Sequence, residues 1–92
     1  MNLSWDEAKR RATLQERGLD FADAVALFEG FSFTIEDTRK DYGERRYSSS
    51  GHIGSRLCFV VWTPRGDVRH IISLRKANER EQKRFKIQTE QG

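Results

Sequence analysis

The side chains of this chain best suited to chemistry are arginines. Arg69 and Arg75 flank Ser73, and Arg39 and Arg46 flank Tyr42 and Glu44. A guanidinium offers a planar fork of donors that matches phosphate oxygens two at a time. Ser73 adds a hydroxyl. Glu44 is either a general base or a carboxylate that orients Arg46 or Arg39. Tyr42 and Tyr47 can stack on bases, as aromatics do on single-stranded nucleic acid. Lys9 and Lys76 supply further charge for a phosphate backbone. The chemistry this set serves is binding, and charge stabilisation, at a phosphodiester.

Other chemistries find less support. Two histidines and one cysteine are too few for a structural zinc site. Asp37, Asp41 and Glu44 amount to a weak magnesium site at most, so no fixed metal and no cofactor are expected. Cys58 lies in an apolar run and is expected to be buried and inert; it excludes an internal disulfide and suits a reducing compartment. His52 falls in a turn. His70 falls on an apolar strand face, where a hydrogen-bonded core histidine is expected.

Charge favours a polyanionic partner. The chain carries 17 Lys and Arg against 14 Asp and Glu, for a net +3. Residues 1–30 are net −2, residues 31–66 net +2 and residues 67–92 net +3. A basic C-terminal half points to RNA as the ligand of a small domain. The N-terminus runs straight into Asp6, Glu7, Lys9, Arg10 and Arg11, which does not read as a signal peptide. No apolar run reaches the ~18 residues of a membrane span. A cytoplasmic protein is expected, and 92 residues fit one domain spanning 1–92.

The positioning elements follow from periodicity. Residues 2–5 read as a short strand. A first helix runs to about Arg17, with Ser4 or Asp6 as its N-cap and Gly18 at C′. Asp20 caps a second helix that ends at Gly30, with Phe21, Ala24, Val25, Leu27 and Phe28 at helical spacing. The period then becomes two, predicting strands near 31–36, 44–50, 56–62 and 68–75. Thr63-Pro64-Arg65-Gly66 reads as the turn between the last two. Asn78 caps a final helix, whose polar tail after about 87 is expected to fray. The expected core is Phe21, Val25, Phe28, Phe33, Phe59, Val61 and Ile72. Trp5, Phe31 and Trp62 are least accounted for by that core, and an exposed apolar patch is expected near at least one of them, the alternative being that all three complete the core. The fold class is α+β, an antiparallel sheet with two N-terminal helices and one C-terminal helix packed on it.

Several fragments occur in a telling order: Trp5-Asp6 with Lys9, Gly18-Leu19-Asp20-Phe21 with Ala24, Asp37-Thr38-Arg39, Tyr42-Gly43-Glu44 with Arg46, and Arg69-His70-Ile71-Ile72-Ser73-Leu74-Arg75 with Ala77 and Glu81. In these the chain resembles the BrnT family of bacterial type II toxins over about residues 3–85. The resemblance implies a RelE-like fold and a ribonuclease that arrests translation. It also implies a BrnA-like antitoxin with a ribbon-helix-helix part, through which alone operator DNA would be engaged. A dimer, or a heterotetramer with antitoxin, would follow. The first helix of the family commonly ends Lys-His-Gly, where this chain reads Glu16, Arg17 and Gly18. Phe85 stands where tyrosine is common.

A metal-independent ribonuclease must activate a 2′-hydroxyl, stabilise the phosphorane and protonate the leaving 5′-oxygen. Regular alternation puts Arg69, Ile71, Ser73 and Arg75 on one strand face and Val68, His70, Ile72 and Leu74 on the other. Arg69 and Arg75 would then lie about 20 Å apart, so at most one touches the scissile phosphate. The expected catalytic set is Arg69, Ser73, Arg75, Glu44 and Arg46. The expected RNA-binding set is Arg39, Lys9, Tyr42 and Lys76. Arg69 or Arg75 could instead pair with Glu44, Asp37 or Glu81. Two alternatives remain from the residues: a weak homologue that holds antitoxin or RNA without cutting, and an unrelated basic RNA-binding domain.

Overall fold

A computed structural model describes residues 2–91; Met1 and Gly92, the ends of the expected domain, lie outside the described residues. The chain runs β1 (Asn2–Trp5), α1 (Glu7–Arg17), a 3-10 turn (Phe21–Asp23), α2 (Ala24–Glu29), β2 (Ser32–Glu36), β3 (Tyr47–Ile53), β4 (Arg56–Arg65), β5 (Val68–Lys76) and α3 (Glu79–Gln91). The strands form one sheet in the order β1-β5-β4-β3-β2. β2 to β5 are antiparallel neighbours, but β1 pairs with β5 in parallel. The sheet is therefore mixed, not purely antiparallel. The helical connection through α1 and α2 separates β1 from the meander, so no hairpin turn constrains its direction.

Local chemistry explains the element ends. Asp6 caps α1 by accepting from the backbone N–H of Ala8 and Lys9, while Ser4 stays in β1. Gly18 closes α1 with φ +69°, a left-handed conformation that favours glycine. The turn between β4 and β5 is Gly66-Asp67, tighter than the expected turn, and Pro64 lies within β4 opposite Arg69. Pro64 is tolerated there because the β3 ladder ends at Trp62 and leaves that stretch of β4 an edge. β3 begins at Tyr47 and leaves Glu44, Arg45 and Arg46 outside the strand, because β2 ends at the partner of Tyr47, Glu36. Asn78 and Glu81 form a reciprocal capping box at α3: the Glu81 N–H donates to Asn78 Oδ1 and the Asn78 N–H to Glu81 Oε1. α3 continues to Gln91, since nothing after Ile87 breaks a helix.

The core sits mainly on one face of the sheet. Phe21, Ala24 and Leu27 pack against Cys58, Val60 and Trp62 of β4 and Ile71 and Leu74 of β5. Gly51 allows this approach: a Cβ there would lie 3.0 Å from Leu27 Cγ and from the Phe31 carbonyl oxygen. Of the expected core, Phe21 is buried, whereas Val25, Phe28, Phe33, Phe59, Val61 and Ile72 are only half-buried. The sequence phase on β4 was wrong, since even-numbered residues face α2 and odd-numbered ones face α3. Trp62 is buried and Trp5 half-buried, leaving Phe31 exposed at 62%.

The opposite face carries α3, seated by Phe85 in a small cluster with Leu57 and Ala77, flanked by Phe33 and Phe59. Phe31, Phe33 and His52 meet the Phe85 ring edge-to-face at 5.5–6.2 Å.

Candidate nucleic-acid interface

β5 carries an irregularity that decides which side chains can act together. Trp62 pairs with Ile71 and Val61 pairs with Ser73, so Ile72 is an extra residue, a β-bulge. Before the bulge, Arg69 and Ile71 face α2. After it, Leu74 faces α2 and Ser73 and Arg75 face α3. The expected grouping of Arg69 with Ser73 and Arg75 on one face is thereby overturned. The Arg69 guanidinium lies 4.3 Å from the Phe28 ring centre and 4.8 Å from that of Trp62, on the opposite side of the sheet. Its place is a cation–aromatic contact at the rim of the core.

Two cross-strand rows remain on the α3 side. One is Ser73, Val61, Ser48 and Ile35; the next is Arg75, Phe59, Ser50 and Phe33. The first row, with Arg75 and Phe59 of the second and with Arg17, Glu36, Asp37, Thr38 and Arg39, borders a cleft of about 520 Å³. A cavity of about 590 Å³ lies on the other side of Phe85, but Lys83 and Lys86 are its only Lys or Arg side chains. The smaller cleft gathers three arginines and the Ser73 hydroxyl, and it is the better candidate.

The charges in this cleft are organised in pairs. Arg75 donates from Nη1 and Nη2 to the two Glu81 carboxylate oxygens, both at 2.8 Å, and lies 4.7 Å from the Phe59 ring centre. That hydrogen bonding holds the Glu81 carboxyl down to about 2 and raises Arg75. The pair reading of Arg75 is therefore correct, with Glu81 as the partner. Arg39 donates from Nε and Nη2 to the two Asp37 carboxylate oxygens at 2.9 and 2.8 Å. Asp37 is held at about 2, chiefly by Arg39. The Tyr42 hydroxyl also donates to Asp37, at 3.3 Å. Outside the cleft lining, Arg46 lies 4.0 Å from the Tyr42 ring centre, and its Nε approaches a Glu44 carboxylate oxygen to 3.5 Å. That Nε is buried without a hydrogen-bond partner.

Arg17 differs from these pairs. Gly18 ends α1 directly after it, and Arg17 Nη1 donates to the Leu74 carbonyl oxygen at 2.8 Å. The sequence reading gave Arg17 only a helix-end role, because its neighbour across the fold is set by how α1 docks on β5.

The remaining expected residues lie apart from the cleft. Lys9 is exposed on α1. Lys76 pairs with Cys58 and so lies on the α2 side of β5. His70 falls on the α3 side, opposite to the face first assigned, and its Nδ1 shares a hydrogen bond with Ser4 Oγ at 2.8 Å. Burial, then Arg65, push its imidazole below the usual histidine value. Burial pushes the buried Cys58 thiol up, consistent with an inert thiol. Among the described residues, no three His, Cys, Asp or Glu side chains converge on a metal position, and no helix is long and apolar enough to cross a membrane.

The sequence model of one family, the ribonuclease toxin BrnT of the type II toxin–antitoxin system, matches residues 5–81. That span contains every cleft side chain named above, including Glu81. No curated protein matches the chain.

Proposed function

The chain belongs to the BrnT family of type II toxin–antitoxin ribonuclease toxins, and from that premise we propose that it is a metal-independent endoribonuclease working on the α3 side of its sheet. Family membership implies an antitoxin partner. In our reading the fold is RelE-like, the substrate is RNA, and cleavage inhibits translation in the cytoplasm. A BrnA-like antitoxin neutralises the chain in a dimeric or heterotetrameric assembly, and operator DNA is engaged only through the antitoxin.

The observation that carries this reading is the cleft that brings Ser73, Arg75, Arg39 and Arg17 together. Arg75 and Arg39 stabilise charge on phosphate oxygens, once a phosphate replaces the carboxylate each now holds. Ser73 donates its hydroxyl toward the same position. Tyr42, Arg46 and Glu44 extend the binding track beyond Asp37. Lys9 and Lys76 serve as outlying contacts to the backbone. Attack by the 2′-hydroxyl on the adjacent phosphorus breaks the bond to the 5′-oxygen. The products are a 2′,3′-cyclic phosphate and a 5′-hydroxyl, with the leaving oxygen taking up the proton.

The test is incubation of purified chain with end-labelled single-stranded RNA, with and without EDTA. Cleavage that leaves 5′-hydroxyl ends and is indifferent to EDTA supports the reading; abolition by EDTA would sink the metal-free mechanism. The pairing of Arg75 with Glu81 and of Arg39 with Asp37 favours a second reading, a weak homologue that binds antitoxin or RNA without cutting. Binding without cleavage under any of these conditions selects it.

A further inference from the structure

Three guanidiniums border the cleft, and they are not equally ready for an anion. Arg75 and Arg39 each hold a carboxylate through two donors. A phosphate can take either place only by displacing a charge-assisted fork, so much of its attraction is spent on the exchange. The Arg17 hydrogen bond goes instead to a neutral backbone carbonyl, that of Leu74. One of its five N–H donors is occupied by Leu74, and among the described residues its charge has no ion-pair partner.

We propose that Arg17 is the phosphate-binding residue that first receives the RNA backbone in this cleft, ahead of Arg75 and Arg39. The bond to Leu74 fixes the guanidinium beside Ser73, the preceding residue on β5, and leaves the remaining donors for phosphate oxygens. Gly18 in its left-handed conformation ends α1 at this point, which places the side chain of the last helical residue at the mouth of the cleft. The anion arriving here meets an unshared cation, whereas at Arg75 it meets the Glu81 carboxylate first. This inference deepens the ribonuclease reading and rests on the same cleft.

The experiment measures binding of fluorescein-labelled single-stranded RNA, made non-cleavable by 2′-O-methyl riboses, across a salt series. It uses the parent chain, Arg17→Gln and Arg17→Lys. Each phosphate contact on single-stranded nucleic acid contributes about 0.7 to the slope of log K against log salt. Arg17→Gln is expected to lower the slope by about that amount, and Arg17→Lys, which keeps the charge, to restore it. A purely structural Arg17 would change thermal stability in both variants and leave the slope alone. Unchanged slopes in Arg17→Gln overturn the proposal, as does a parent chain that binds no RNA. Cleavage of ordinary RNA is measured in parallel to separate the two readings. A parent that binds with the Arg17-dependent slope but never cuts keeps this proposal and removes the ribonuclease. A parent that cuts while Arg17→Gln keeps its slope and rate removes this proposal alone.

Discussion

The two faces of the sheet are built from the same strands and do different work. On the α2 face, Leu27, Val60, Ile71 and Leu74 are fully buried. Even its buried serine is satisfied there: the Trp62 indole N–H donates to Ser49 Oγ at 2.9 Å, and Thr34 Oγ1 shares a hydrogen bond with it at 2.7 Å. The α3 face is held by one aromatic anchor, Phe85, and a charged latch between Arg75 and Glu81. It leaves Val61, Ser73 and Phe59 half-buried beside the cleft. A small domain has apolar side chains for one dense layer. The other face can stay polar and accessible because its stability is supplied from behind. The bulge at Ile72 divides the roles within β5, with Arg69 serving the packed face and Arg75 the open one.

The largest expected effect tests that division in the core. Ile71→Ala should cost about 2–5 kcal/mol, in the range for large-to-small core substitutions. Ile72→Ala, at the half-buried bulge residue, should cost about 1 kcal/mol. Urea denaturation measures both. Equal losses would mean that the two isoleucines share the core and that the bulge is misplaced.

Next comes the pair of arginines. Arg75→Ala should reduce cleavage by about 10²–10³ if it contacts the transition state. Arg69→Ala should leave single-turnover cleavage nearly unchanged and cost about 0.5–2 kcal/mol of stability as its contact with Phe28 and Trp62 is lost. The reverse pattern in the two assays would move the site to the α2 face.

The latch should respond to acid. The folded Glu81 value of about 2 lies below its ordinary 4.5, so its contribution is complete above about 4.5 and is lost as pH falls toward 2. Protection of the α3 amides against hydrogen exchange, taken relative to their intrinsic rates, should fall over that window in the parent. In Glu81→Gln, that protection should already be lower at neutral pH and change less with acid. An identical acid response in both chains would mean that Glu81 does not hold α3.

A smaller effect is expected at His70. Its folded value lies below 6.5 because of burial and Arg65. The unfolded chain therefore binds the proton more readily, and the stability present above 6.5 falls as pH drops below it. An NMR titration of the imidazole should give a midpoint below 6.5; a midpoint above it would mean that the Glu44 and Asp6 carboxylates outweigh burial, Arg65 and Lys9 at the ring.

Much of this organisation was legible in the sequence, and particular residues show where legibility stopped. Asp6, Gly18, Asn78 and Glu81 mark helix ends through local hydrogen bonds, which short-range spacing reveals. The β3–β4–β5 meander follows from runs of period two. The parallel pairing of β1 is a long-range event with no local signature. The pattern His70-Ile71-Ile72-Ser73-Leu74 did carry a warning: Ile71 and Leu74 cannot share a face in a regular strand. Read as a bulge signal, it would have put Arg69 and Arg75 on opposite faces. The arginine forks were visible as residue types, but their partners and the docking of Arg17 on Leu74 depend on tertiary placement.

The central claim is that RNA lies on the α3 face. An amide chemical-shift titration of the parent chain with non-cleavable single-stranded RNA, in EDTA, tests it most directly. The account predicts perturbations at Arg17, Thr38, Arg39, Ser48, Ser73 and Arg75, with Phe28, Trp62 and Arg69 little moved. Perturbations centred on Phe28, Trp62 and Arg69, with Ser73 and Arg75 unmoved, would contradict it.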